Sequence, residues 1–280
     1  LGAAGAAGGW LWPRPAPTVA PAALTAPAAP ATPAARLEAL PPLMGEAAIL
    51  AHRAAEPWLL RFAEEAAVFV IDFPSLEMQG AALNRVAALV EKAGLPRDRV
   101  LTEAEMAEAI ARTGDTPATY YYGHNYRGAD LARFFRIAAR DGVPLTPAEA
   151  WVESQLRLAR ALVPEGTEIA VLSIAAPGPQ LDEAGRATIL RHELGHGLFA
   201  TRPALAAHIR RAWHERFTEA ERAMLRAFLG REGYDTANEE LMIDEAQAYL
   251  LHTPDARFFS AAHLGIGEAQ LDRLRGLLRE

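Results

Sequence analysis

The spacing of apolar residues changes character several times along the chain, and each change predicts an element. Residues 68–73 (VFVIDF) and 168–175 (EIAVLSIA) are short apolar runs bounded by Pro74 and by Pro177-Gly178-Pro179, the pattern of buried strands. Around them, apolar positions recur at helical spacing. Residues 45–67 have helical character interrupted at Pro57, and 80–93 read as a helix ended by Gly94. Thr102 with Glu105 has the spacing of a capping box and opens the next helix. Residues 119–122 suit a strand, 123–128 a turn and 129–140 a helix. Thr146, with Pro147 in the first helical position and Glu149 three residues on, starts a helix reaching Leu162. A longer helix spans 182–200, where Arg202-Pro203 stops it. Thr218 with Glu221, and Thr236 with Glu239, cap two further helices, the second running to His252 before Pro254, and a last helix covers 267–279. Few strands among many helices make the expected fold α+β and mostly helical, without internal repeats.

The first 36 residues do not share this patterning. Residues 1–12 (LGAAGAAGGWLW) are apolar, rich in Gly and Ala, and too short to span a bilayer as a helix. They resemble the apolar segment of an export signal, similar in the Leu-Gly-Ala-Ala-Gly run to twin-arginine signals, although no arginine pair is present. The resemblance implies an exported protein, periplasmic or extracellular. Residues 13–35 are almost wholly Pro, Ala and Thr, a composition that cannot bury a core and reads as a tether. The expected organisation is a signal remnant and tether over 1–36, a helical and αβ region over 37–145, and a core carrying the chemistry over 146–280. The alternative is a single compact unit over 37–280.

Composition narrows the chemistry. A formal charge of −7 and the absence of any basic run argue against a nucleic-acid surface. The absence of cysteine excludes disulfides, thiolate metal ligands and a cysteine nucleophile, so a metal site must use His and carboxylate. Nothing in the pattern predicts a membrane span in the mature chain, and nothing fixes the oligomeric state.

One arrangement has an obvious joint use. His192-Glu193-x-x-His196 lies within the 182–200 helix, so both imidazoles point the same way one turn apart and can ligate one zinc ion, with Glu193 beside it. A catalytic zinc takes three protein ligands and keeps one position for water, so a third is required. Phe199 and Arg202 stand where a metzincin extension needs Gly and His, which excludes that class. The acidic stretch 238–249 (NEELMIDEAQAY) is the natural source. At about 100° per residue, Glu240, Asp244 and Gln247 cluster as a polar, solvated stripe. Glu239 is occupied as the capping partner of Thr236. Glu245 shares its side with Leu241, Ala248, Tyr249 and His252, where an unpaired carboxylate is expensive and a cation compensates it. That facing argument favours Glu245; the competing choice is Glu240 with Asp244.

His192-Glu193-x-x-His196 followed by Asp244-Glu245-Ala246-Gln247-Ala248-Tyr249 resembles the gluzincin group of zinc metallopeptidases, in which His, His and Glu bind the metal. The second segment is similar to the Asn-Glu-Gly-x-Ala-x-Tyr stretch of the aminopeptidase branch, and to the Glu-x-x-Ala-Asp stretch of the CAAX-prenyl endopeptidase branch with Tyr249 in place of the aspartate. The Glu240 with Asp244 alternative matches the thermolysin-like form, where the aspartate holds a ligand histidine. The likeness covers residues 168–252 and lacks the Gly-x-Met-Glu-Asn exopeptidase motif. It implies a zincin-like core in which 168–175 is the edge strand preceding the motif helix and pairs with an extended peptide or protein substrate. It also implies Zn2+ as cofactor and Glu193 as general base.

A donor for the oxyanion is still needed, and Tyr234, Tyr249 and His252 are the candidates; the last two could equally orient Glu245 or fill the core. Residues 120–127 (YYYGHNYR) either line a cleft for a peptide or cell-wall sugar, or pack their tyrosines inward. His52, His208, His214 and His263 lack partner spacing and read as surface or capping residues. The alternative to a peptidase is a binding or scaffold protein on the same fold.

Overall fold

The structure is a computed structural model that describes residues 40–92 and 94–279. The expected signal remnant and tether over 1–36 lie outside them. Five strands, β1 (Leu43–Met44), β2 (Trp58–Phe62), β3 (Val68–Phe73), β4 (His124–Arg127) and β5 (Ala170–Ala175), form one open sheet in the spatial order β1-β2-β3-β5-β4. With them are eleven helices among the described residues: α1 (Glu46–Ala51), α2 (Leu76–Val90), α3 (Glu103–Thr113), α4 (Gly128–Asp141), α5 (Pro147–Ala161), α6 (Glu183–Thr201), α7 (Pro203–Glu215), α8 (Glu219–Arg231), α9 (Glu239–His252), α10 (Ala261–Leu264) and α11 (Glu268–Arg279). The protein is thus a mixed, mostly helical fold with a small sheet. Among the described residues no helix is long and apolar enough to cross a membrane.

β3 and β5 pair in parallel, and all their residues are buried, as expected for unbroken apolar runs covered on both faces. This overturns the expectation that 168–175 forms the sheet edge. The edge is β4, which pairs antiparallel with β5 through His124↔Ser173, Asn125↔Leu172, Tyr126↔Val171 and Arg127↔Ala170. Its alternation of buried and more exposed residues reflects two sheet faces of unequal cover. Two nearby expectations also fail. Residues 119–122 are a turn, because Thr116 and Thr119 hydrogen-bond each other and Tyr120 N–H donates to Thr116 O, so pairing with β5 begins only after Gly123. Residues 58–62 are strand: α1 already ends at Ala51, and the apolar run after Pro57 pairs antiparallel with β3.

The capping boxes expected at Thr102, Thr146 and Thr218 are all present. The one expected at Thr236 is not. Asn238 caps α9, accepting from Leu241 N–H at 3.2 Å, while Glu239 accepts from Trp213 Nε1 at 2.6 Å and pairs with Arg226. Pro203 stops α6 but occupies the first turn of α7, where its missing N–H costs nothing.

Sheet alternation decides what faces α6. A Cβ added at Gly197 would touch Val68 and Leu172, so α6 packs on the face that carries those residues and Asn125, which is in register with Leu172. His124 and Tyr126 point to the opposite face. Arg186 is fully buried and fastens α6 to the sheet, with Nη1 donating to Asp72 Oδ1 at 2.8 Å and to Ala175 O at 2.7 Å. A second apolar cluster, including Trp213, Phe228, Tyr249 and Phe259, holds α7, α8 and α9 together and presses α9 against α6.

Candidate metal centre

α6 is capped by Asp182, whose carboxylate accepts from Gly185 N–H at 2.7 Å, and it carries His192, Glu193 and His196 on its buried side. α9 crosses it and brings Glu245 opposite. The two histidine Nε2 atoms are 3.0 Å apart, and Glu245 Oε2 lies 3.6 Å from each. All three residues are buried, none more than 5% exposed. Tetrahedral zinc with bonds of about 2.0 Å spaces its ligand atoms about 3.3 Å apart, so the three atoms are set at a separation one ion can span.

Hydrogen bonds behind the rings fix which nitrogen is available. His196 Nδ1 lies 2.8 Å from Asp244 Oδ1, and a carboxylate only accepts, so Nδ1 carries the proton and Nε2 a lone pair. His192 Nδ1 lies 2.9 Å from Thr253 Oγ1, and that hydroxyl spends its own hydrogen on Ala248 O at 3.1 Å. It therefore accepts from His192 Nδ1–H, which again leaves Nε2 as a lone pair. Glu245 Oε2 is buried without a hydrogen-bond partner among the described residues. Two lone pairs and an orphaned carboxylate oxygen converge on one point, which protons or a cation must compensate.

Without a metal, protons fill that role. Burial works against a charged His196 ring, but Asp244 and then Glu245 outweigh it and hold its pKa at about 10. Burial pushes Glu245 up to about 8 and drives His192 well below its usual value, with the His196 charge adding to the latter.

Glu193 stands beside this set. It is 2% exposed, its Oε2 accepts from Asn125 Nδ2 at 3.1 Å, and burial raises its pKa to about 7. Glu91, Tyr121, Gly123, Asn125, Tyr234 and Leu241 close the walls of a cavity of about 30 Å³ that includes the three ligands and Glu193. That volume holds about one or two water molecules. Three of its lining residues, Glu91, Asn125 and Leu241, also line a neighbouring cleft of about 460 Å³.

The chain matches no family model, no curated protein and no solved structure. The centre is therefore read from its own geometry.

The structure brings His192, Glu193, His196, Glu245 and Tyr234 to one cavity. It separates the alternatives for the third ligand: Glu240 is exposed and paired with Arg210, whereas Asp244 supports His196 from behind. The expected solvated stripe is correspondingly wrong at two positions, since Gln247 is buried and donates to Asp244 Oδ1 at 3.1 Å. α9 is covered by α6 on one side and α7, α8 and α11 on others, so little of its surface reaches water. Tyr249 is not in the cavity wall; its ring packs edge-on against those of His192 and Tyr234, with centroids 4.9 and 6.5 Å away. His252 packs against Gly195 and lines a different cavity with Arg191, Leu194 and Leu198. In the 120–127 stretch all four tyrosines are buried, and Tyr121, Gly123, His124 and Asn125 nevertheless line the metal cavity.

Thr253, Asn125 and Glu91 are the functional neighbours that sequence reasoning missed. Nothing marks Thr253 except a hydroxyl one residue past α9, and Asn125 could be found only by placing the edge strand correctly.

Proposed function

We propose that the protein is a zinc-dependent hydrolase acting on peptides or proteins, with a zincin-like core of the gluzincin kind in which His192, His196 and Glu245 are the ligands and Glu193 is the general base. The observation that carries this reading is the convergence of two imidazole lone pairs and the unpartnered Glu245 Oε2 beside a buried carboxyl that belongs to a different role. His192, His196 and Glu245 would hold the zinc ion, which would supply Lewis acidity toward a substrate carbonyl and make a water there more acidic. Glu193, with its pKa near 7, is suited to take the proton of the attacking water and return it to the leaving amine. Tyr234 is the candidate oxyanion donor that reaches the cavity wall, while Tyr249 positions both Tyr234 and the His192 ring. β4 takes over the substrate-pairing role, since no strand among the described residues pairs with its outer edge and an extended chain can add to the sheet there.

A binding or scaffold protein on the same fold needs the ligands but has no use for Glu193, and the intact, buried Glu193 favours hydrolysis. Turnover of a generic peptide library by the zinc-loaded protein, with Glu193→Gln as control, tests the reading. Cleavage by the wild type that the variant lacks supports it; a stoichiometrically zinc-loaded wild type that cleaves nothing refutes it. Export remains a proposal from the 1–12 resemblance, tested by fractionating cells that express the full gene.

A further inference from the structure

The Glu193 carboxylate is approached from one side by a single short strand. Asn125 Nδ2 donates to Oε2 at 3.1 Å, and a Cβ on Gly123, which immediately precedes β4, would lie 2.6 Å from Oε1. One oxygen is therefore held, and the other keeps its space because residue 123 has no side chain. Oε1 has no hydrogen-bond partner among the described residues. The strand is fixed in turn: His124 and Tyr126 anchor its opposite face, with Tyr126 OH 2.9 Å from His124 Nδ1, and its backbone is in register with β5.

We propose that Asn125 is a positioning residue for the general base, locking Oε2 so that Oε1 serves as the proton acceptor. This rests on the hydrolase reading of the site. A carboxylate on a flexible glutamate side chain has several rotamers, and in a cavity that holds about one or two waters only one of them addresses the attacking water. The amide selects that rotamer without itself touching substrate. Asn125 also stands where the small cavity meets the 460 Å³ cleft, so an arriving substrate passes the residue that sets the base.

The test compares wild type with Asn125→Leu, which keeps the branched outline of the side chain but removes the donor, and Asn125→Asp, which keeps the shape and replaces the donor by an acceptor. Metal content, thermal unfolding, kcat and KM on a cleaved peptide, and the visible absorption spectrum of the cobalt-substituted protein are read for each. Both variants are expected to keep one metal per chain, to lose about 10- to 100-fold in kcat with KM within about threefold, and to shift the cobalt spectrum. If Asn125 merely holds the strand, Asn125→Leu keeps kcat within twofold and leaves the spectrum unchanged, and that result overturns the proposal. Should Asn125→Leu fail to fold, Asn125→Asp alone decides by the same readouts. A wild type that binds metal and cleaves nothing refutes the hydrolase reading, and the inference falls with it. A wild type that cleaves, alongside variants that match it, refutes the inference alone.

Discussion

Gly123→Ala isolates the contact between the edge strand and the base. The new methyl would lie 2.6 Å from Glu193 Oε1, 2.6 Å from Ile189 Cγ2 and 3.2 Å from Glu193 Cδ. Against a comfortable separation of about 3.5 Å, two of these overlaps approach about 0.9 Å. Ile189 is buried in α6, and a Glu193 carboxylate that gives way moves relative to Asn125 Nδ2, which holds its other oxygen. Overpacking of this kind costs about 1–3 kcal/mol in stability. The functional loss should be larger, since a displacement of about 1 Å at a reacting group can cost about 100-fold in rate. The ligand atoms are not among the contacts, so metal content should remain at the wild-type level. The assay combines denaturant unfolding, metal analysis and peptide turnover. A variant with wild-type kcat/KM and wild-type stability would refute the claim that residue 123 must lack a side chain to leave Glu193 its space.

Two further predictions concern the groups behind and within the ligand set. Asp244→Ala should weaken metal affinity by about 10- to 100-fold, because the His196 tautomer loses its partner; competition with a chelator reads this, and unchanged affinity contradicts the supporting role. Metal uptake should release protons near neutral pH, because the metal-free site keeps His196 at about 10 and Glu245 at about 8. The sign follows: lowering the pH fills the same atoms with protons, so apparent affinity should fall as pH drops from 8 to 6. Calorimetry in two buffers of different ionisation enthalpy counts the protons, and a buffer-independent heat contradicts it.

Much of the centre was legible because it depends on helical geometry, which is local. The spacing of His192 and His196 fixes their common direction, and the apolar neighbours of Glu245 distinguish it from Glu240 on the same helix. The strong caps and prolines that bound α5, α6 and α8 are equally local. Placement of the strands was less legible, because order in a sheet depends on partners far apart in sequence. β5 reads as a strand from its own residues, yet nothing in those residues tells whether β4 lies outside it. The 124–127 run (HNYR) has too few apolar residues to stand out as a strand, so its pattern suggests only a turn around Asn125. Glu239 and Gln247 show the same limit: a pattern can suggest a cap or a solvated stripe, but Trp213, Arg226 and Asp244 decide what these side chains touch.

His192, His196 and Glu245 are placed to hold one metal ion between them. Zinc titration of the chelator-stripped protein, followed calorimetrically for wild type, Glu245→Ala and Glu240→Ala, tests it most directly. One tight site per chain is expected in the wild type and in Glu240→Ala, and its loss or severe weakening in Glu245→Ala. Wild-type binding in Glu245→Ala, with loss in Glu240→Ala, would contradict it.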